Sequence, residues 1–173
     1  VTYFSPLADT SLPDAGFVYL PGGYPELYLA ALSANRQMLQ SIRRYVESGG
    51  KLLAECGGMM YLCDEIRDKN GYVYPMAGVL HQSATMENMK LRLGYRTLLY
   101  NETRLKGHEF HYSRLVEQQN PLPSCAVAYT AKGVETDTPL YHYKNVWAGY
   151  THLYWADPVG NEWFTKFVID GNT

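Results

Sequence analysis

Cys56 lies between a short apolar run, Lys51-Leu52-Leu53-Ala54, and a glycine pair, Gly57-Gly58, behind which Met59, Met60, Leu62, Cys63 and Ile66 recur at helical spacing. A strand that turns sharply into a helix holds the side chain at the turn clear of the sheet, and the helix amino end favours thiolate over thiol. The pattern therefore predicts an exposed, activated nucleophile at position 56. A cysteine buried at a strand end fits the spacing equally well, since free cysteine is among the most buried residue types.

A thiolate nucleophile needs a base, and the histidines are His81, His108, His111, His142 and His152. His152 follows an apolar segment, residues 146–150, and precedes a helix start marked by Asp157 and Pro158. That puts it at the end of a strand just before a helix, the edge where sites gather in open α/β sheets. Cysteine and histidine partners are adjacent in space rather than in sequence, so His152 ranks first. Backbone N–H groups for an oxyanion could come from Gly22-Gly23 or Gly57-Gly58, although a glycine pair alone marks only a turn.

In Gly107-His108-Glu109-Phe110-His111-Tyr112-Ser113 the two histidines stand three apart, not the four of a zinc-binding helix. On a strand, Glu109, His111 and Ser113 share one face and His108, Phe110 and Tyr112 the other. The first three are candidate substrate-binding residues lining a polar pocket, or ordinary polar residues of a half-exposed strand. No metal site is expected. Neither G-x-x-x-x-G-K-[ST] nor G-x-G-x-x-G occurs, so no cofactor is expected in this chain and any ATP chemistry lies elsewhere.

Around these residues the elements follow from punctuation. An apolar strand at residues 17–20 ends in Pro21-Gly22-Gly23, a short helix from Glu26 breaks near Ser33 to Asn35, and a second carries Met38, Leu39, Ile42, Tyr45 and Val46 to Gly49-Gly50. Strand, helix, strand and helix in succession argue for a parallel open sheet with helices on its faces. From residue 72 to about 150 no long helix is marked and antiparallel or mixed strands are expected, with candidates at 91–100, 109–115, 125–130 and 146–151. A last helix starts at Asp157-Pro158, with Trp163, Phe164, Phe167 and Val168 on one face.

With 173 residues, 46% apolar content and a net charge of −2, the chain reads as one soluble domain without a footprint for nucleic acid or membrane. No apolar run approaches a membrane span and nothing at the start resembles a signal peptide, so a cytoplasmic location is expected. Cys56, Cys63 and Cys125 form neither a disulfide framework nor a zinc spacing, and Cys63 is expected in the core. The start at Val1 reads as a piece of a longer protein.

Together, Phe4-Ser5-Pro6-Leu7-Ala8-Asp9, Pro21-Gly22-Gly23-Tyr24-Pro25-Glu26-Leu27, Ala54-Glu55-Cys56-Gly57-Gly58-Met59-Met60-Tyr61-Leu62, Gly94-Tyr95-Arg96, Gly107 to Ser113 and Tyr150-Thr151-His152-Leu153 span nearly the whole chain. In this order they resemble the glutamine amidotransferase domain that ends cobyrinic acid a,c-diamide synthases. The resemblance implies a flavodoxin-like class I glutaminase. Cys56 would attack the glutamine side-chain amide, His152 would move protons, and the N–H groups of Gly23 and Gly57 would hold the oxyanion. It also implies an amino-terminal synthetase domain of the same polypeptide, using ATP and magnesium to activate two acetate carboxyls of a corrin ring.

Two features depart from the wider class I pattern. The Glu common two positions after the catalytic histidine is Tyr154 here, which leaves a Cys–His dyad and is shared with the cobyrinic-type branch. The family's domain also opens with another strand and helix, so this sheet is expected to lack them and the chain to self-associate or be marginally stable. Three other readings are the glutaminase domain of cobyric acid synthase, that of a nickel sirohydrochlorin diamide synthase, and a non-catalytic docking module. A stand-alone cysteine hydrolase is a fourth.

Overall fold

The computed structural model describes residues 1–170. In chain order the elements are β1 (Phe17–Leu20), a 3-10 turn (Pro25–Leu27), α1 (Leu29–Ala34), α2 (Arg36–Glu47), β2 (Lys51–Glu55), α3 (Gly57–Leu62), β3 (Glu65–Arg67), β4 (Val73–Pro75) and β5 (Ser83–Thr85). Then follow β6 (Arg92–Tyr100), β7 (Thr103–His111), β8 (Arg114–Leu115), β9 (Val127–Thr130), β10 (Glu135–Thr136), β11 (Leu140–Tyr143), β12 (Val146–Gly149), β13 (His152–Leu153) and α4 (Pro158–Asp170).

The frame is a sheet ordered β1-β2-β12-β11, in which β1, β2 and β12 run parallel and β11 antiparallel to β12. Alternation divides its side chains between two cores. Leu20, Leu52, Ala54, Val146 and Ala148 meet Met38, Ile42 and Val46 of α2 and Met59 of α3. On the opposite face Phe17, Leu53 and Trp147 meet Leu98, Leu105, Trp163 and Phe167. A sheet buried on both faces calls for the near-continuous apolar strands seen in β2 and β12. The second sheet, β10-β9-β6-β7-β13, is antiparallel throughout, and the third, β4-β3-β5-β8, is mixed. This is the expected α/β arrangement, with antiparallel and mixed strands filling residues 72–150.

Helix limits follow local chemistry. The Asn35 side chain caps α2 by accepting from Met38 N–H, and its amide donates to the carbonyls of Pro6 and Asp9, tying the opening segment to the helix. The helix after Cys56 is shorter than its apolar spacing predicts. Cys63 is extended (ψ 169°), and Ile66 is buried from β3, whose neighbour Asp64 donates its N–H to Gln82. An apolar run this short fits either period, and strand pairing with β5 decides it. Cys63 is fully buried, as expected.

Among the described residues β1 has a strand partner on one side only, and a hollow of about 710 Å³ separates it from residues 1–4 and from Phe164 and Val168 of α4. No helix among them is long and apolar enough to cross a membrane.

Candidate active site

Cys56 is the hinge between β2 and α3. Its φ of 49° and ψ of −110° swing the backbone out of the strand, and its N–H is pinned to the Gly149 carbonyl of β12 at 2.7 Å. Positive φ in a residue with a side chain is a strained conformation that the surroundings must impose. They do so by close approach. A Cβ on Gly57 would fall 2.5 Å from the Gly23 carbonyl oxygen, and one on Gly58 would fall 2.2 Å from that of Leu20. Only glycines let the elbow press against the β1 loop, and this brings Gly23 beside Gly57, the two expected oxyanion donors.

His152 arrives from the second sheet. Its strand pairs with β7, setting it opposite His108, and the two rings stack at 5.1 Å. The Cys56 side chain lies beside the imidazole, whose Nδ1 is 3.6 Å from Glu55 Oε2. The Cys56 contact first and Glu55 second outweigh desolvation and raise His152 to about 9. The structure thus brings the expected cysteine and histidine together from separate sheets.

The expected openness of the thiol is corrected. Cys56 is only 5% exposed. The reason is the loop after β1, whose Gly22 packs on the His152 ring while Gly23 packs on Gly57. A cleft of about 370 Å³ opens beside this loop, bordered by Gly22, Gly23, Gly57, Gly58 and Tyr61. The imidazole side chain, 26% exposed, is the more open member of the pair.

Tyr154, two residues after His152, is 60% exposed. The carboxylate near the imidazole belongs to Glu55 instead, a residue that sequence reasoning assigned no role. Glu55 is 3% exposed, accepts from Tyr19 Oη at 2.7 Å and accepts from the Leu153 N–H at 3.1 Å. The available signal was a charged residue ending an otherwise apolar, two-face-buried strand.

Glu109 and His111 do share one face of β7, with Ser113 just beyond its end, but all three point into the protein: they are 0%, 6% and 2% exposed. Arg96 Nη2 lies 2.9 Å from Glu109 Oε2, and Thr151 Oγ1 donates to Oε1 at 3.4 Å. Burial pushes the Glu109 carboxyl up, and His111, Thr138 and Arg96 more than offset this, leaving it below its ordinary value. His111 stacks on Tyr150 at 3.8 Å and Ser113 Oγ donates to Tyr150 Oη at 3.1 Å. The three residues clamp Tyr150 and Thr151, which lead directly into His152. Of the three, His111 also borders a cavity of about 240 Å³ with Arg92, Arg114 and Tyr150.

Comparison with known proteins bears on the family and the fold. The profile of the CobB/CobQ-like glutamine amidotransferase domain matches residues 1–159. Hydrogenobyrinate a,c-diamide synthase of Pseudomonas aeruginosa is 38% identical over 159 residues, covering 89% of this chain and 35% of that protein. Cobyrinate a,c-diamide synthase of Fusobacterium nucleatum is 39% identical over 162 residues, with the same two shares, 89% and 35%. The chain therefore spans about a third of the length of these relatives. A solved glutamine amidotransferase superposes with a TM-score of 0.57 at 20% identity, covering 88% of this chain and 79% of its own. The structure of PurLQS from Thermotoga maritima gives 0.54 at 17%, covering 84% and 72%. These two likenesses bear on the fold. With its residues 1–159 matched and its relatives nearly two-fifths identical, the chain belongs to the CobB/CobQ-like glutamine amidotransferase domain family.

Proposed function

We propose that this chain hydrolyses glutamine and supplies the ammonia for amidation of the a and c acetate carboxylates of a cobyrinic acid ring in cobalamin biosynthesis. The observation that carries the reading is the strained Cys56 elbow with the His152 imidazole brought beside it from another sheet. The Cys56 thiolate adds to the side-chain amide carbon of glutamine, and N–H groups of Gly23 and Gly57 receive the oxyanion. Collapse breaks the carbon–nitrogen bond as the His152 imidazolium gives its proton to the nitrogen, releasing ammonia. Water then adds to the thioester, His152 takes one of its protons, and the carbon–sulfur bond breaks to give glutamate and free thiolate. The low exposure of Cys56 requires the Gly22-Gly23 loop to yield as glutamine enters. Glu109, His111 and Ser113 act in this scheme by holding the strand that carries His152, not by touching substrate.

The ammonia is consumed in the cytoplasm by a synthetase portion of the same polypeptide, where ATP and magnesium activate the ring carboxyls. The two-thirds of the relatives that lies outside the matched region supports this. So does the open face of β6 and β7. Leu93 is opposite Phe110 and Tyr95 opposite His108, and Leu93 and Tyr95 are 62% and 75% exposed. This apolar strip leads through His108 to His152 and fits a docking surface at the mouth of the site.

The test is glutamine hydrolysis, with trapping by an electrophilic glutamine analogue, in the chain and in Cys56→Ala. Hydrolysis and labelling at Cys56, both lost in the variant, are expected, with a fall of at least about 10³-fold. Labelling confined to Cys63 or Cys125, with no hydrolysis, would point to a docking module instead.

A further inference from the structure

Position 154 carries no carboxylate, yet the imidazole is not left with the thiol alone. Glu55 ends β2 and Cys56 begins the turn, so the carboxylate and the nucleophile are consecutive residues sent to different sides by the backbone reversal at φ 49°. Because side chains alternate along β2, Glu55 stays on the sheet face that also carries Tyr19 of the neighbouring β1. Tyr19 Oη donates to Oε2 at 2.7 Å, and the Leu153 N–H, from the residue after His152, donates to Oε1 at 3.1 Å. Both oxygens are thereby fixed from two elements, and Oε2 is held 3.6 Å from His152 Nδ1.

From this geometry we infer that Glu55 is the positioning carboxylate of His152, taking the place of the absent acid after the histidine. The inference rests on the glutaminase reading above and deepens it. A carboxylate at Nδ1 orients the ring so that the other nitrogen faces the sulfur, and it stabilises the imidazolium that must protonate ammonia. Tyr19 is the brace. Burial first and Glu55 second raise its own titration, so its hydroxyl remains a donor across the working pH range. The other groups facing the imidazole are Cys56 from the elbow and His108 from β7. A structural carboxylate satisfying only Tyr19 and Leu153 would leave the titration of His152 unmoved by its removal.

The measurement is the histidine nitrogen chemical shift of His152 against pH in the full chain, followed alongside the pH profile of glutamine hydrolysis. The native midpoint is expected near 9. Glu55→Gln, which keeps the shape and removes the charge, should lower it by about one pH unit or more. The alkaline limb of kcat should move down with it, and kcat should fall about 10- to 100-fold with little change in KM. That is less than the ~10⁴ lost when a carboxylate in full hydrogen-bond contact is neutralised. Glu55→Asp, which keeps the charge on a shorter arm, should fall between the two. If folded Glu55→Gln leaves the His152 midpoint at its native value, the inference is overturned. Should the chain hydrolyse no glutamine while the midpoint still moves in Glu55→Gln, the pairing stands and the glutaminase reading fails.

Discussion

A Cβ placed on Gly22 would fall 2.1 Å from Cε1 of His152. The loop after β1 is thus the wall against which the imidazole is held toward Cys56. Where α3 meets the end of β1 the contact is different in kind, since a Cβ on Gly58 would meet the backbone carbonyl of Leu20 and not the end of a side chain.

This contrast separates two effects of adding one methyl. In Gly22→Ala the His152 ring is free to swing away, so the fold survives while the ring leaves the sulfur, and kcat should drop on the order of 10²-fold. In Gly58→Ala the backbone of β1 has to shift, and stability should fall by about 1–3 kcal/mol. Urea midpoints measured beside glutamine hydrolysis check both. A Gly22→Ala protein of native activity would show that the ring does not depend on this wall.

The raised titration of His152 has a consequence for stability whose sign is fixed. The folded value, about 9, lies above the ordinary 6.5, so the folded state holds the proton more tightly. That contribution is fully present below about pH 6.5 and is lost as pH rises through about 9. The melting temperature should decline between these limits. In His152→Gln the decline should be smaller, which thermal denaturation at pH 6 and pH 9.5 will read directly.

The distance between what residue spacing reveals and what the fold adds is clearest at the site. Cys56 and His152 were legible because strand-to-helix and strand-to-helix-cap punctuation is local, and the glycines flanking the elbow are its visible signature. Glu55 was not, although it adjoins Cys56, because its partner ring comes from a residue nearly a hundred positions away on another sheet. Its role needs the register of β2 against β1 and the pairing of β13 with β7. The low exposure of the thiol was hidden for the same reason: the covering loop follows β1 and is set by tertiary approach. The face shared by Glu109 and His111 was readable from a period of two, but which side faced the core was not. Ile66 shows the limit for short apolar runs, where helix and strand spacings coincide.

The exposed strip on β6 and β7 makes a prediction about coupling. Leu93 and Phe110 are paired across the strands on the solvent face, and neither touches the thiol. Replacing both by lysine should leave glutamine hydrolysis by the chain intact. In the two-domain enzyme proposed above it should lower glutamine-dependent amidation on the order of ten-fold while amidation driven by added ammonia persists. Equal loss of the two activities would remove the strip from the docking surface.

Glu109 and Arg96 supply a prediction about stability rather than chemistry. Glu109 is fully buried and the Arg96 side chain only 11% exposed, so each charge depends on the other for the solvation it has lost. Neutralising one partner in Glu109→Gln strands the guanidinium and should cost about 3–5 kcal/mol, whereas replacing both by apolar residues of similar volume should come out near neutral. The amide oxygen of the single variant can still accept from Thr151, the residue before His152, so its glutaminase activity should fall no further than the loss of folded protein explains. Because the Glu109 carboxyl sits below its ordinary value, its contribution to stability is present above that ordinary value and is lost as pH falls through the lowered one. Acid unfolding of the native chain should therefore begin with this pair, and the doubly apolar variant should withstand lower pH than the native protein does.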